Sequence, residues 1–180
     1  MKSTPHPPRA RPQRQRAPAA AASLTLTLQT GSGVTALPAS RAQLRRWVLA
    51  VLENDADLTL RFVNRAEACA LNAGYRKRSY APDVLTFVYE HTGPPTRVRL
   101  SGKPTPRLQA DIVLCVPVLR EQARRAGWPL AWRLAHLVIH GVLHAQGHDH
   151  EQDEDARRMQ CLESLALRRF RIPDPYAEPL

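Results

Sequence analysis

Five of the chain's seven histidines fall between positions 136 and 150, in the run His136-Leu-Val-Ile-His140-Gly-Val-Leu-His144-Ala-Gln-Gly-His148-Asp-His150. Neutral imidazole is a poor packing residue and a good metal ligand near pH 7. On a helix, His140 and His144 stand one turn apart and point the same way. A continued helix would carry residue 150 roughly 15 Å along the axis from His140, too far to share an ion. Gly147 supplies the break, because glycine adopts the left-handed conformation that ends helices, and the chain can then return His150 to the pair. Three neutral imidazoles roughly 2.0–2.1 Å from one Zn2+ ion, with a fourth position open, make a catalytic rather than a structural zinc site. The expected ligands are therefore His140, His144 and His150, with one zinc per chain.

The neighbouring residues carry weaker signals. His136 extends the stripe one turn back; it either supports a ligand, faces substrate, or is a partly buried structural residue. His148 reads as a solvated loop residue, and Asp149 either holds the return turn or orients a ligand histidine. The i, i+4, i+10 spacing with an intervening glycine is shared with the metzincin proteases, whose motif places a glutamate after the first histidine as general base. Here that position is Gly141. Peptide hydrolysis is thereby disfavoured, and the missing side chain is expected to leave open space beside the metal.

At the level of whole motifs, His140-Gly-Val-Leu-His144-Ala-Gln-Gly-His-Asp-His150 resembles the H-G-x-L-H-x-x-G-[YH]-D-H signature of the YbeY endoribonucleases, the bacterial rRNA maturation factors. Leu71-Asn72-Ala-Gly-Tyr75-Arg76, followed by Asp83-Val84-Leu85-Thr86-Phe87, is similar to that family's L-N-x-x-Y-R and T-[ND]-V-L-S-F stretch, and Ala110-Asp111-Ile112-Val113 to its G-D-I strand. The likeness runs from about Ser23 to Tyr176. Pro82, Thr86, Ala110 and His148 depart from the usual residues, and none of the departures removes a ligand. The resemblance implies a single-strand-specific, metal-dependent endoribonuclease acting in 16S rRNA 3′-end maturation and ribosome quality control. Its partners would be rRNA and ribosomal small-subunit proteins.

Arg76 is the expected catalytic residue, its guanidinium holding the scissile phosphate bidentately and stabilising transition-state charge; the arginine matching it in the family is functional. Asn72 is expected with Arg76 at the substrate, although Asn72 and Tyr75 would equally well support the turn after a helix. The attacking oxygen is left open: either a metal-activated water or the ribose 2′-hydroxyl. Two other functions are compatible with the same residues. One is a ribosome-assembly binding module that uses zinc for structure alone; the other is a metal-dependent hydrolase of a different substrate.

The formal net charge is +10, and half of it sits in residues 1–22, where Lys2, Arg9, Arg11, Arg14 and Arg16 occur with five prolines and no acid. Such a segment buries too little apolar surface to offset ordering entropy, so a disordered basic tail is expected. The expected layout is this tail, a domain over 23–176 and a short tail over 177–180. The basic remainder favours polyanionic partners such as RNA. Cys69, Cys115 and Cys161 lack C-x-x-C spacing and read as small core hydrophobes of a reducing compartment. With no membrane-length apolar run and no signal-peptide core, a cytoplasmic protein without membrane contact is expected.

To position these groups, strands and helices must alternate. Ser23–Gln29, Leu58–Val63, Val84–Tyr89 and Asp111–Val116 read as strands by alternation or β-propensity. Ser40 with Gln43, and Asn64 with Glu67, carry helix-capping patterns. The first helix has the stripe Leu44, Trp47, Val48, Val51 and Leu52, and the second is expected to reach Asn72. Arg97–Leu100 reads as a brief edge strand inside a Pro/Gly-rich loop. Helices follow over Val118–Ala126, Leu130–Gln146 and Asp153–Arg169. Irregular interleaving indicates a single α+β domain with a mixed sheet. From the resemblance, the sheet is roughly four-stranded, packed by helices, with a zincin-like metal site on a central helix and the turn after it.

Overall fold

Alternation builds the sheet. In a computed structural model of the chain, which describes residues 22–89, 97–98, 104–105, 107–149 and 152–177, β1 spans Leu24–Thr30. The helix α1 (Arg41–Leu49) leads to β2 (Ala56–Val63), then α2 (Arg65–Arg76), and β3 follows at Val84–Val88. Two short strands, β4 (Arg97–Val98) and β5 (Pro104–Thr105), precede β6 (Leu108–Cys115). Three helices complete the chain: α3 (Val116–Arg125), α4 (Leu130–Ala145) and α5 (Asp153–Arg168).

The main sheet has the order β1-β2-β6-β3, with the first three strands parallel and β3 antiparallel at the edge. This is the expected mixed four-stranded sheet in an α+β domain. The segment near Arg97 pairs instead with β5 in a separate two-stranded sheet, so it is not an edge of the main one. The remaining strands and helices fall within a few residues of their expected spans. The tail over 1–21, the C-terminal residues 178–180, and His150 lie outside the described residues.

Local signals explain the helix starts. Ser40 accepts from the Gln43 amide while the Gln43 side chain accepts from the Ser40 amide, closing the capping box. Asn64 Oδ1 accepts from the Glu67 amide in the same manner. Contrary to expectation, α2 does not stop at Asn72 but runs another turn to Arg76. Tyr75 packs its ring 4.7 Å from that of Phe87 on β3, which supports that extra turn, and Lys77 ends the helix in the left-handed conformation.

The two sheet faces are unequal. Ala56, Leu58, Leu60 and Phe62 of β2 join Ala110, Ile112 and Leu114 of β6 beneath α1, α4 and α5, forming the main core. On the other face, Val113, Cys115 and Leu85 pack with Ala68 of α2 in a smaller cluster; of the three cysteines expected in the core, Cys115 is buried, Cys69 is half-buried and Cys161 on α5 is exposed. Helix α4 is buried almost all round by Leu134, Leu137, Val138, Ile139, Val142 and Leu143, as its apolar composition requires. It touches α1, α3, α5, β3 and β6, and so is the fixed central element.

Candidate metal centre

Rigidity is what the histidine row receives from α4. His140 and His144 are half-buried on successive turns, with ring centroids 4.5 Å apart at 82°. His136, one turn earlier, is buried, with 5% of its surface exposed.

A buried carboxylate organises the row. Glu163, 1% exposed at the middle of α5, accepts from His140 Nδ1 at 2.8 Å through Oε1 and from His136 Nε2 at 2.9 Å through Oε2. The Tyr176 hydroxyl donates to the same Oε2. Burial alone would raise the Glu163 carboxyl, but the His136, His140 and Tyr176 hydrogen bonds overcome it and hold the group down at about 2. Burial, then the Glu163 contact, push the Tyr176 phenol well above its ordinary value.

These contacts fix the proton positions. An ionised carboxylate only accepts, so His140 carries its proton on Nδ1 and presents the Nε2 lone pair. Arg133 Nη1 lies 3.1 Å from His136 Nδ1 and can only donate, so His136 is protonated on Nε2, the nitrogen that faces Glu163. Arg133 continues to Asp83 Oδ2 at 3.2 Å and to Gln122 Oε1 at 2.9 Å. A braced chain thus runs from the start of β3 through α4 and α5 to His140. His136 is accordingly a support, one hydrogen bond away from the carboxylate that orients His140.

Gly141 corrects one expectation. A Cβ at this position would lie 2.7 Å from Ile112 Cγ2 and 3.4 Å from Thr86 Oγ1. The missing side chain therefore opens no space for substrate; it lets α4 approach the sheet at β6 and β3. The physical reason is periodicity: Gly141 is turned about 100° round the helix from His140, toward the sheet-facing side it shares with Leu137 and Val138.

The turn after α4 has the expected form. Gly147 takes φ +89°, its amide donates to His144 O at 3.0 Å, and the His148 amide donates to Leu143 O at 3.1 Å. This pair of bonds is a Schellman motif with glycine at the left-handed position. Gln146 fastens the turn to the end of α1, donating to Val51 O at 2.9 Å and accepting from the Glu53 amide at 2.7 Å. His148 is half-buried rather than solvated, with Nε2 3.7 Å from Glu53 Oε1. Asp149, two residues beyond Gly147, is exposed.

The other expected site residues sit apart from this row. Arg76 is exposed at the end of α2, on the sheet face opposite α4. The edge strand β3 lies between them, with Thr86 on the α4 side and Phe87 under Tyr75. Asn72 is 1% exposed, and its amide donates to Tyr80 O at 2.9 Å, so it supports the turn leading to β3. Glu163, Tyr176, Arg133 and Asp83 had no assigned role in the sequence reading. Glu163 left a signal: it shares the buried stripe of α5 with Met159, Ala166 and Leu167, where a carboxylate must have a partner.

The endoribonuclease YbeY family profile matches residues 35–171. The endoribonuclease YbeY of Thiobacillus denitrificans is 47% identical over 148 residues, covering 82% of this chain and 92% of the relative. That of Aromatoleum aromaticum is 42% identical, covering 82% of this chain and 87% of its own length. A Polynucleobacter asymbioticus relative of the same name is 42% identical, covering 77% and 81%. A solution structure of a Thermotoga maritima protein aligns over 86% of this chain and 100% of its own, with 22% identity and a TM-score of 0.48. The chain belongs to the endoribonuclease YbeY family.

Proposed function

We propose that this rRNA-processing endoribonuclease cleaves single-stranded rRNA at one zinc ion held by His140, His144 and His150, with Arg76 on the scissile phosphate. The observation that carries the reading is the Glu163–His140 hydrogen bond of 2.8 Å, which commits Nδ1 and leaves Nε2 as a ligand nitrogen. Carboxylate–histidine pairs of this type orient metal ligands and raise their basicity. His144, one turn on, supplies a second imidazole within the same reach. When bound by neutral histidines, zinc retains its 2+ charge, which attracts a phosphodiester and acidifies water.

The chain's own residues then divide the work. The rigid α4 fixes the spacing of His140 and His144, and the left-handed Gly147 ends that helix, so that the following residues would bring His150 to them. Glu163 keeps the proton on His140 Nδ1, while His136, Arg133 and Asp83 hold Glu163 in place. Arg76 supplies a guanidinium fork for the phosphate oxygens from across β3. Asn72 keeps the turn after α2 in shape, so its contribution to substrate binding runs through that turn. Ribosomal small-subunit proteins would present the rRNA, and the compartment would be the cytoplasm. No helix among the described residues is long and apolar enough to cross a membrane.

The test is zinc content of purified chains carrying alanine at His140, His144 or His150, alongside cleavage of single-stranded RNA with and without chelator. Each variant is expected to lose its zinc equivalent and its cleavage. A His150→Ala chain that keeps one tightly bound zinc would remove that residue from the ligand set.

A further inference from the structure

A second feature lies at the opposite end of α4. A cleft of about 480 Å³ opens between α1, the first turn of α4 and the segment that leaves α5. Arg46, Arg169 and Arg171 line it together with Trp47, Trp132 and Phe170, and no carboxylate side chain is among its lining residues. All three arginines are exposed. The Arg46 guanidinium carbon lies 5.6 Å from the Phe170 ring centroid, while Arg169 is committed in part to Ala50 O at 3.1 Å.

Arg171 holds an unusual backbone position. The Arg171 amide donates to Arg168 O at 3.1 Å and the Ile172 amide to Leu167 O at 3.2 Å, with φ +58° at Arg171. This is the same helix ending that Gly147 provides for α4, but here an arginine occupies the left-handed position. Glycine would adopt that conformation without strain, whereas arginine adds a cation at the lip of the cleft.

We propose that this cleft is an exosite for single-stranded RNA: it would hold a nucleotide stretch outside the cleaved bond, with bases against the half-buried Trp132 and Phe170 and phosphates on Arg46 and Arg171. Aromatic faces accept any base, and arginine forks match phosphate oxygens, so the combination suits a sequence-tolerant single strand. The cleft volume is that of a small-ligand site able to take a nucleotide. Position supports the same occupant. Trp132 lies on the i, i+4 row that continues through His136, His140 and His144, about 18 Å from His144 along the helix axis. One strand can span both places. The occupant rests on the ribonuclease reading; the basic and aromatic lining does not.

The experiment compares wild type with an Arg46→Ala/Arg171→Gly double variant, using labelled single-stranded RNA of roughly 20 nucleotides against roughly 3. The variant is expected to bind the long RNA at least about tenfold more weakly, with the slope of log affinity against log salt reduced by about 1.4, roughly 0.7 for each lost phosphate contact on a single strand. Binding of the short RNA and kcat should hold, and thermal melting should not fall, since glycine suits residue 171. An Arg46→Lys/Arg171→Lys chain should recover the salt slope and part of the affinity, since lysine keeps the charge but not the bidentate fork. Weaker long-RNA binding in the variant supports the exosite even if the wild-type chain proves unable to cleave. Unchanged long-RNA affinity overturns it even where cleavage is normal, and would leave the cleft to an acidic peptide. Equal weakening for both lengths would also overturn it.

Discussion

Glu163 Oε1 sits 2.8 Å from His140 Nδ1, and this contact settles which nitrogen of His140 faces outward. The bond joins two helices, α4 and α5, that are consecutive in the chain. The histidine row is therefore organised from behind by a residue that does not belong to the histidine motif.

Replacing Glu163 by glutamine keeps the shape and removes the charge. The wild-type carboxylate accepts from three donors, whereas glutamine brings one acceptor oxygen and an amide that faces a donor. Zinc affinity should fall about 10–100-fold, the usual effect of losing such an outer partner. Competition with a graded chelator, monitored together with far-ultraviolet circular dichroism, measures it. Unaltered zinc affinity in a folded variant would show that His140 needs no orienting carboxylate.

Gly141→Ala tests why the position after the first histidine is empty. The added methyl would meet Ile112 Cγ2 at 2.7 Å, and that atom sits on a stiff β-branched side chain. Overpacking of this kind costs about 1–3 kcal/mol, against which the better helix propensity of alanine returns about 1. A lower melting temperature is expected, and Ile112→Ala in the same chain should relieve the overlap. If Gly141→Ala melted higher than wild type, close approach of helix and sheet would not be the reason for the glycine.

Much of this was readable in advance because it is local. The Ser40 and Asn64 caps, the histidine spacing and the Gly147 ending each depend on residues within one or two turns, where backbone geometry alone decides the outcome. Glu163 was not singled out because its partners lie 23 and 27 positions away, across a helix–helix contact. The acid on the buried stripe of α5 was nonetheless visible, and burial would have required a partner for it. Gly141 was misread by adjacency. Chain neighbours on a helix diverge by about 100°, so a residue next to a ligand faces elsewhere. Arg76 was placed by its motif, and the extra turn of α2 that carries it depends on the Tyr75–Phe87 contact, which no periodicity in α2 reveals.

Gly147 offers a contrast with Gly141, since a Cβ there would meet nothing within 4 Å while φ is +89°. Only backbone conformation constrains it. Gly147→Ala should cost about 1–2 kcal/mol and, if His150 is a ligand as proposed, weaken zinc binding, because the turn that leads to that residue is disturbed. Gly147→Asn should lose less, as asparagine enters the left-handed region more readily. Denaturant melts and zinc competition on the two variants give the ranking. Equal losses for alanine and asparagine would mean that something other than this dihedral angle matters.

Arg76 raises the hardest geometric question, because α2 and α4 cover opposite faces of the sheet. A substrate engaging both must straddle β3, whose terminal residue Val88 is exposed together with Tyr89 just beyond it. Removing an exposed arginine changes stability by no more than about 0.5 kcal/mol, so Arg76→Ala should fold and keep its zinc. Should the guanidinium stabilise charge at the reacting phosphate, kcat falls about 10²–10³-fold, as for other lost transition-state donors. Arg76→Lys would restore only part of this, because a point charge lacks the bidentate fork. A rise in KM with kcat intact would instead place Arg76 along the path of the strand, away from the bond that breaks. Steady-state cleavage of a defined single-stranded RNA by the three chains separates these outcomes, and unchanged cleavage by Arg76→Ala would remove the residue from the reaction altogether.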